Sequence, residues 1–317
     1  VLPGQAYALL PDKPAWQSLN IMKSSFVQLH IAILLAGFTG VLGRLITLNE
    51  GMLVWYRMLF STAGLLLVAL ISGSMPKPAG RGLLRLTGVG AVIALHWVFF
   101  YGSIKYANVS VSLVCFSAVG FFTALLDPVI SRTRMNAVDI GLGLMVMSGI
   151  MLIFHFDTAY RTGILLGVAS ALLAAIFTIL NKSLLRVHDA ATVTFYEMAG
   201  GCLTLTLLLP LYLKIFPPDH VLPTLSDLGW LLFLSLLCTV LAFRLSLNAL
   251  REISPFTVNL SYNLEPVYGI LLAFLLYRED KYLGPGFFPG LAIIMVTVAI
   301  QSWRVWKKRQ ARDASLT

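Results

Sequence analysis

Ten times along this chain a run of roughly 17–25 mostly apolar residues ends in a short break of charge, proline or glycine, and that is the length an α-helix needs to cross the hydrocarbon core of a bilayer. A water-soluble core cannot absorb so much apolar surface: 58% of the residues are hydrophobic and only 12% charged. The runs predict helices at 27–47, 51–72, 83–104, 108–131 and 136–156, then 163–185, 190–214, 226–250, 255–277 and 283–304. Breaks such as Ser72-Gly73-Ser74-Met75-Pro76-Lys77-Pro78 and Gly284-Pro285-Gly286 separate them. The expected fold class is an all-α polytopic membrane protein of ten transmembrane helices, with no connection long enough to form a separate domain.

The few charges suggest an orientation. With the N-terminus inside, fifteen Lys and Arg fall on the cytoplasmic side and six on the other, which predicts cytoplasmic termini and a multi-pass protein of a bacterial inner membrane. The net charge of +9 is scattered between apolar runs and gathered at Arg304, Lys307, Lys308, Arg309 and Arg312, a pattern that suits anionic lipid rather than nucleic acid. Residues 1–26 are expected to be a cytoplasmic tail without the features of a secretory signal, and 305–317 a basic cytoplasmic tail. Cys115, Cys202 and Cys238 stand in separate apolar runs without metal-ligand or redox spacing. They are expected to be packing residues, and neither a metal nor a cofactor is expected.

Residues 92–134 lie over 238–280 at a constant offset of 146 without a gap. Lys105-Tyr106-Ala107-Asn108-Val109-Ser110 then falls on Arg251-Glu252-Ile253-Ser254-Pro255-Phe256, and Arg132-Thr133-Arg134 on Arg278-Glu279-Asp280. The pattern of polar breaks repeats more than the identities do. An offset of about 140 sets Tyr56-Arg57-Met58 over Tyr196-Glu197-Met198. Residues 27–156 and 163–304 therefore read as two copies of a five-helix unit, and because five is odd the second copy must enter the membrane from the opposite face. Such an inverted repeat can expose one central site to each side in turn. Proline removes a backbone donor and kinks a helix, and Pro266 stands where the first copy has Gly120, an expected pair of hinges near the midplane. Setting Leu126-Asp127-Pro128-Val129 on Leu264-Glu265-Pro266-Val267 is locally more similar but shifts both flanking loops by eight residues.

Leu264-Glu265-Pro266-Val267 followed by Tyr277-Arg278-Glu279, with Gly290-Leu291 and Arg57, resembles the signature of the drug/metabolite transporter superfamily, in particular its ten-helix EamA-type members, over about residues 27–305. The first copy departs from that pattern, with Gly120 where proline is usual and Thr133 where glutamate is usual. The resemblance implies a central cavity lined by the first four helices of each half, the fifth and tenth outside it, and export of small metabolites such as amino acids. Fold alone does not choose among metabolite, drug and sugar carriers.

An ionisable group within a span needs a partner, a wet cavity or a route to the interface. Arg57 and Glu197 hold equivalent places in the two halves, where each either snorkels or gates a substrate path. His96, Trp97, Phe100 and Tyr101 form neighbouring strips of one helix, suited either to helix contacts or to the flat part of a bound metabolite. Asn259, Tyr262 and Asn263 share a face just before Pro266, where they tie helices together or hold a substrate's polar groups. Glu265 is the candidate coupling carboxylate for a proton, and Arg244 either neutralises Glu265 or Glu197 or binds an anionic substrate. The sequence has no His-Glu-x-x-His, no Gly-x-Ser-x-Gly and no Cys/His cluster, which argues against an intramembrane enzyme. The expectation is a secondary transporter working by alternating access on a small-molecule metabolite, with a proton as coupling ion and no obligate protein partner. The alternatives are a drug or other metabolite carrier of the same fold, or a non-transporting receptor or assembly factor.

Overall fold

Away from water every backbone donor must find its acceptor within the segment, and helices do so without a neighbour. A computed structural model of the chain describes residues 15–314 apart from 79–81, 133 and 157; the side chains of 15–23, 154, 156, 158, 260, 263, 301, 302, 305, 306 and 308–314 lie outside the description. The described residues form α-helices and short 3-10 or π turns, with no strand among them. The α-helices are α1 (Ala15–Leu45), α2 (Glu50–Ile71), α3 (Gly82–Tyr106), α4 (Val109–Phe116), α5 (Val119–Ser131), α6 (Ala137–Phe156), α7 (Arg161–Leu184), α8 (Ala190–Ile215), α9 (Leu225–Ser235), α10 (Ala242–Glu252), α11 (Pro255–Ser261), α12 (Glu265–Tyr277) and α13 (Phe287–Ala314). α1 begins at Ala15 and α13 runs on to Ala314, so residues 15–26 and 305–314 continue the neighbouring helices.

Among the described residues seven stretches are long and apolar enough to cross a membrane: Ser24–Leu45, Glu50–Ile71, Gly82–Tyr106, Val109–Ser131, Arg161–Leu184, Ala190–Ile215 and Leu225–Glu252. Three shorter apolar helices, Ala137–Ile153, Glu265–Tyr277 and Phe287–Ile300, occupy the other expected spans. The span expected at 255–277 is short because it is cut into α11, a 3-10 turn at Tyr262–Leu264, and α12. The run at 108–131 is likewise cut at Ser117-Ala118.

The helix boundaries follow the 146-residue offset. α3 ends at Tyr106 and α10 at Glu252; α4 starts at Val109 and α11 at Pro255; α5 covers Val119–Ser131 and α12 Glu265–Tyr277. Arg132 and Arg278, the residues that stop those last two helices, both adopt the left-handed conformation with φ 54°. They are the only described non-glycine residues with positive φ, a conformation a side chain resists, so the same strained stop recurs in both halves. In each half the break precedes the expected hinge: Gly120 and Pro266 lie in the first turn after it. There proline lacks only a donor that the helix would not use.

Two ends of the bundle can be told apart by their contacts. At the Arg44 end, where α1, α3 and α12 finish, Thr47 bonds Asp227 and the Tyr212 hydroxyl donates to Glu50. At the Arg251 end, where α7 and α10 finish, Arg251 donates to the His188 carbonyl and Tyr196 to the Pro76 carbonyl. Between the ends α3 packs tightly on α8. A Cβ on Gly90 would lie 2.2 Å from the Glu197 carbonyl oxygen, and one on Gly200 would lie 2.5 Å from Thr87 Cα, so both positions need glycine. α6 pairs with α13 through Gly149 and Gly290 and through an Arg304–Asp139 ion pair at 2.9 Å.

Candidate functional site

A cavity of about 740 Å³, its mouth included, opens among α1, α2, α3, α4, α7, the π turn at Leu236–Leu241, α10, α11 and α12. No described residue of α6 or α13 lines it. Nor does α8, which the resemblance placed at the cavity: its tight seat on α3 turns it outward of the lumen.

On one wall Arg57 of α2 is 3% exposed and held on three sides. Its Nε donates to Thr239 Oγ1 at 2.7 Å, its Nη1 donates to the Tyr101 hydroxyl at 2.9 Å, and the guanidinium plane lies 3.7 Å from the centroid of Trp97. Thr239 can accept because its own proton goes elsewhere. The π turn widens the helix by one residue, and the Thr239 hydroxyl donates to the Leu234 carbonyl five residues back. Arg57 is therefore oriented, with guanidinium donors left over for a ligand.

Glu265 begins α12 at the broken helix and lines the same cavity, 4% exposed. Arg57 and Glu265 form no direct ion pair among the described residues. Aromatic rings make up much of the rest of the cavity lining. The His96 ring stands 5.6 Å from Phe116, 5.3 Å from Phe177 and 6.3 Å from Phe100, and Phe177 stands 6.2 Å from Phe243. His96 Nδ1 lies 2.9 Å from the Ser170 carbonyl oxygen, which can only accept, so that nitrogen carries the proton.

Of the residues expected at the site, the cavity brings together Arg57, His96, Trp97, Phe100, Asn259, Tyr262 and Glu265. Tyr101 does not line it; fully buried, it serves as the anchor of Arg57. Asn259 donates to Thr123 and accepts from Thr178, so it ties α5, α7 and α11 together while touching the cavity. The side chain of Asn263 lies outside the described residues. Glu197 is buried on α8 beside Asn181, away from the cavity. Arg244 is exposed and neutralises neither carboxylate: the π turn just before it sets the rotation of α10, which presents Ala242, Phe243 and Ser246 to the cavity instead. Thr239, Phe116, Phe177, Phe243 and Ser246 were not foreseen, since threonine, serine and phenylalanine in an apolar run carry no signal until the helix rotation is known.

No group of three or more His, Cys, Asp or Glu among the described residues could hold a metal ion, and the three cysteines are free.

The sequence model of a family described as the EamA-like transporter family matches residues 24–155 and again 161–303. A protein of Archaeoglobus fulgidus described as an uncharacterized transporter is 25% identical over 254 residues, 78% of this chain and 84% of that one. Another of that description, from Methanothermobacter thermautotrophicus, is 28% identical over 230 residues, 70% of this chain and 64% of its own length. One solved crystal structure superposes with a TM-score of 0.64 at 18% identity over 90% of this chain and 98% of that chain, a likeness of fold.

Proposed function

Because the chain belongs to the EamA-like transporter family of the drug/metabolite transporter superfamily, and is thereby a multi-pass membrane transporter of that type, we propose that it is a secondary active exporter of small metabolites, amino acids among them. It works by alternating access across a bacterial inner membrane, with both termini cytoplasmic. Ten spans form two inverted five-helix halves, 27–156 and 163–304. The shared 146-residue register of helix ends, breaks and left-handed stops supports that division, as does the pair of family matches. It also favours the 146 offset over the locally more similar alignment, which would put every one of those boundaries eight residues out of step.

The observation that carries the substrate reading is one cavity lined by Arg57, by Glu265 and by an aromatic surface. A zwitterionic amino acid fits that arrangement. Its carboxylate takes the spare donors of Arg57, its ammonium the Glu265 carboxylate, and its apolar part the rings of Phe100, Phe116, Phe177 and Phe243. A carboxylate that accepts an ammonium must give up any proton it holds, so proton and substrate compete for Glu265. That competition couples export to proton entry, with Gly120 and Pro266 at the hinges.

Proteoliposomes loaded with a panel of radiolabelled amino acids and metabolites provide the test. Efflux of at least one solute, accelerated by an opposing proton gradient, is expected; no movement of any solute with or without the gradient would overturn the reading. Glu265→Gln, whose amide oxygen still accepts from an ammonium but cannot titrate, is expected to abolish the pH dependence while leaving counterflow at raised substrate concentration, whereas equal loss of both would make Glu265 a structural residue.

A further inference from the structure

The two ends of the bundle are closed by unequal means. At the Arg44 end the Glu279 carboxylate, 2% exposed, accepts from Arg44 Nη1 at 2.5 Å, from the backbone N–H of Val109 and Ser110 at 3.2 and 2.9 Å, and from Ser110 Oγ at 2.6 Å. One side chain from the second half thereby caps the N-terminus of α4 and pins the last turn of α1, both in the first half. Around it, Arg44 lies 4.3 Å from the centroid of Tyr277, and the Tyr277 hydroxyl donates to the Val41 carbonyl at 2.9 Å. The left-handed stop at Arg278 turns the chain so that Glu279 arrives there.

At the 146-residue offset the opposite end lacks each part. Pro255 stands for Val109 and has no N–H; Phe256 stands for Ser110 and has no hydroxyl; Thr133 stands for Glu279 and has no charge. Lys182, the last-turn cation of α7 as Arg44 is of α1, donates instead to the carbonyls of Leu250, Arg251 and Ile253. Those contacts stay within the second half. The cavity is skewed the same way. Its lining includes Val258 and Asn259, within a turn or so of the start of α11, and Phe177, Phe243, Ser246 and Tyr262 keep partial exposure, whereas Arg57, Phe100 and Phe116 toward the Arg44 end are buried.

We propose that Glu279 is the latch of the gate at the Arg44 end. It joins the two halves there while the cavity faces the Arg251 end, and it releases α4 and α1 before the cavity opens to the Arg44 end. Because the offset-equivalent positions Pro255, Phe256 and Thr133 cannot build the same latch at the other gate, the resting protein is biased toward the state that opens at the Arg251 end. The inference rests on the alternating-access reading above, yet its test needs no substrate.

In a background with Cys115, Cys202 and Cys238 replaced by serine, a single cysteine is placed at Val41, buried between latch and cavity, or at Ser246, on the cavity wall near the Arg251 end. Each protein in nanodiscs is labelled with a membrane-impermeant maleimide. Glu279→Gln is expected to speed labelling at position 41 by about tenfold, the scale set by losing charge-assisted hydrogen bonds, and to slow it at position 246. Arg44→Gln, which spares the cap on α4, is expected to move both rates the same way by less. Unchanged rates in Glu279→Gln overturn the latch, and so does faster labelling at both positions, which would mark a merely structural cap. If no solute moves in proteoliposomes while the two rates shift in opposite directions, the transport reading fails and the latch stands; if transport is found and the rates do not shift, only the latch fails.

Discussion

Asp189 sets where α8 begins with one side chain. Its carboxylate accepts from the N–H of Ala191 and Thr192 and from the Thr192 hydroxyl, at 2.8, 3.0 and 2.7 Å. Partial burial works against its charge, but the bonds from Thr192 and Ala191 outweigh it and hold the carboxyl below its ordinary value of 3.8. A depressed acid stabilises the fold fully above the unfolded value, and the contribution fades as pH falls through the lower folded value. Asp189→Ala is expected to cost about 1 kcal/mol at neutral pH, seen as a lower melting temperature in detergent, while Asp189→Asn keeps the cap and loses that acid dependence. At this scale the sequence was informative about ionisable groups and silent about neutral ones. Arg57, His96 and Glu265 stood out because each is rare in an apolar run. Arg244 stood out equally and yet is exposed, because rarity does not tell which face of a helix a residue occupies.

The π turn at Leu236–Leu241 shows what an element contributes beyond its residues. An extra residue in the turn rotates α10 relative to α9 and presents Thr239 to Arg57. Thr239→Val removes both the acceptor for Arg57 and the donor to Leu234 at nearly constant shape, and it is expected to raise the KM for an exported amino acid several-fold, whereas Thr239→Ser restores it. Helix existence was legible from apolar run length, and most boundaries fell within a few residues because caps such as Asn49, Asn108 and Asp189 are written locally. Gly120 and Pro266 mark where a straight helix fails, but the chain turns at the residues before them, since a proline fits the first turn of the helix that follows.

For the whole molecule, α1 begins and α13 ends at the same end of the bundle, the end where α7 and α10 finish. Tags at the two termini are therefore expected to be protected from added protease in intact cells and cleaved together in everted vesicles; cleavage of one tag from each side would refute the ten-span arrangement. Apolar run length and the cost of unpaired backbone in lipid determine, from the sequence by itself, that this chain is a helical membrane protein. The repeated order of polar breaks determines that its halves correspond, because a duplicated break pattern survives when identities do not. Only the tertiary structure decided which polar residues share one cavity, that α8 stands outside it, and that Glu279 reaches α4 and α1. Those outcomes depend on helix rotation and on close approach at glycines such as Gly90 and Gly200. They join residues up to 236 positions apart, as in the bond from Tyr277 to Val41, and no local pattern encodes a distance of that kind.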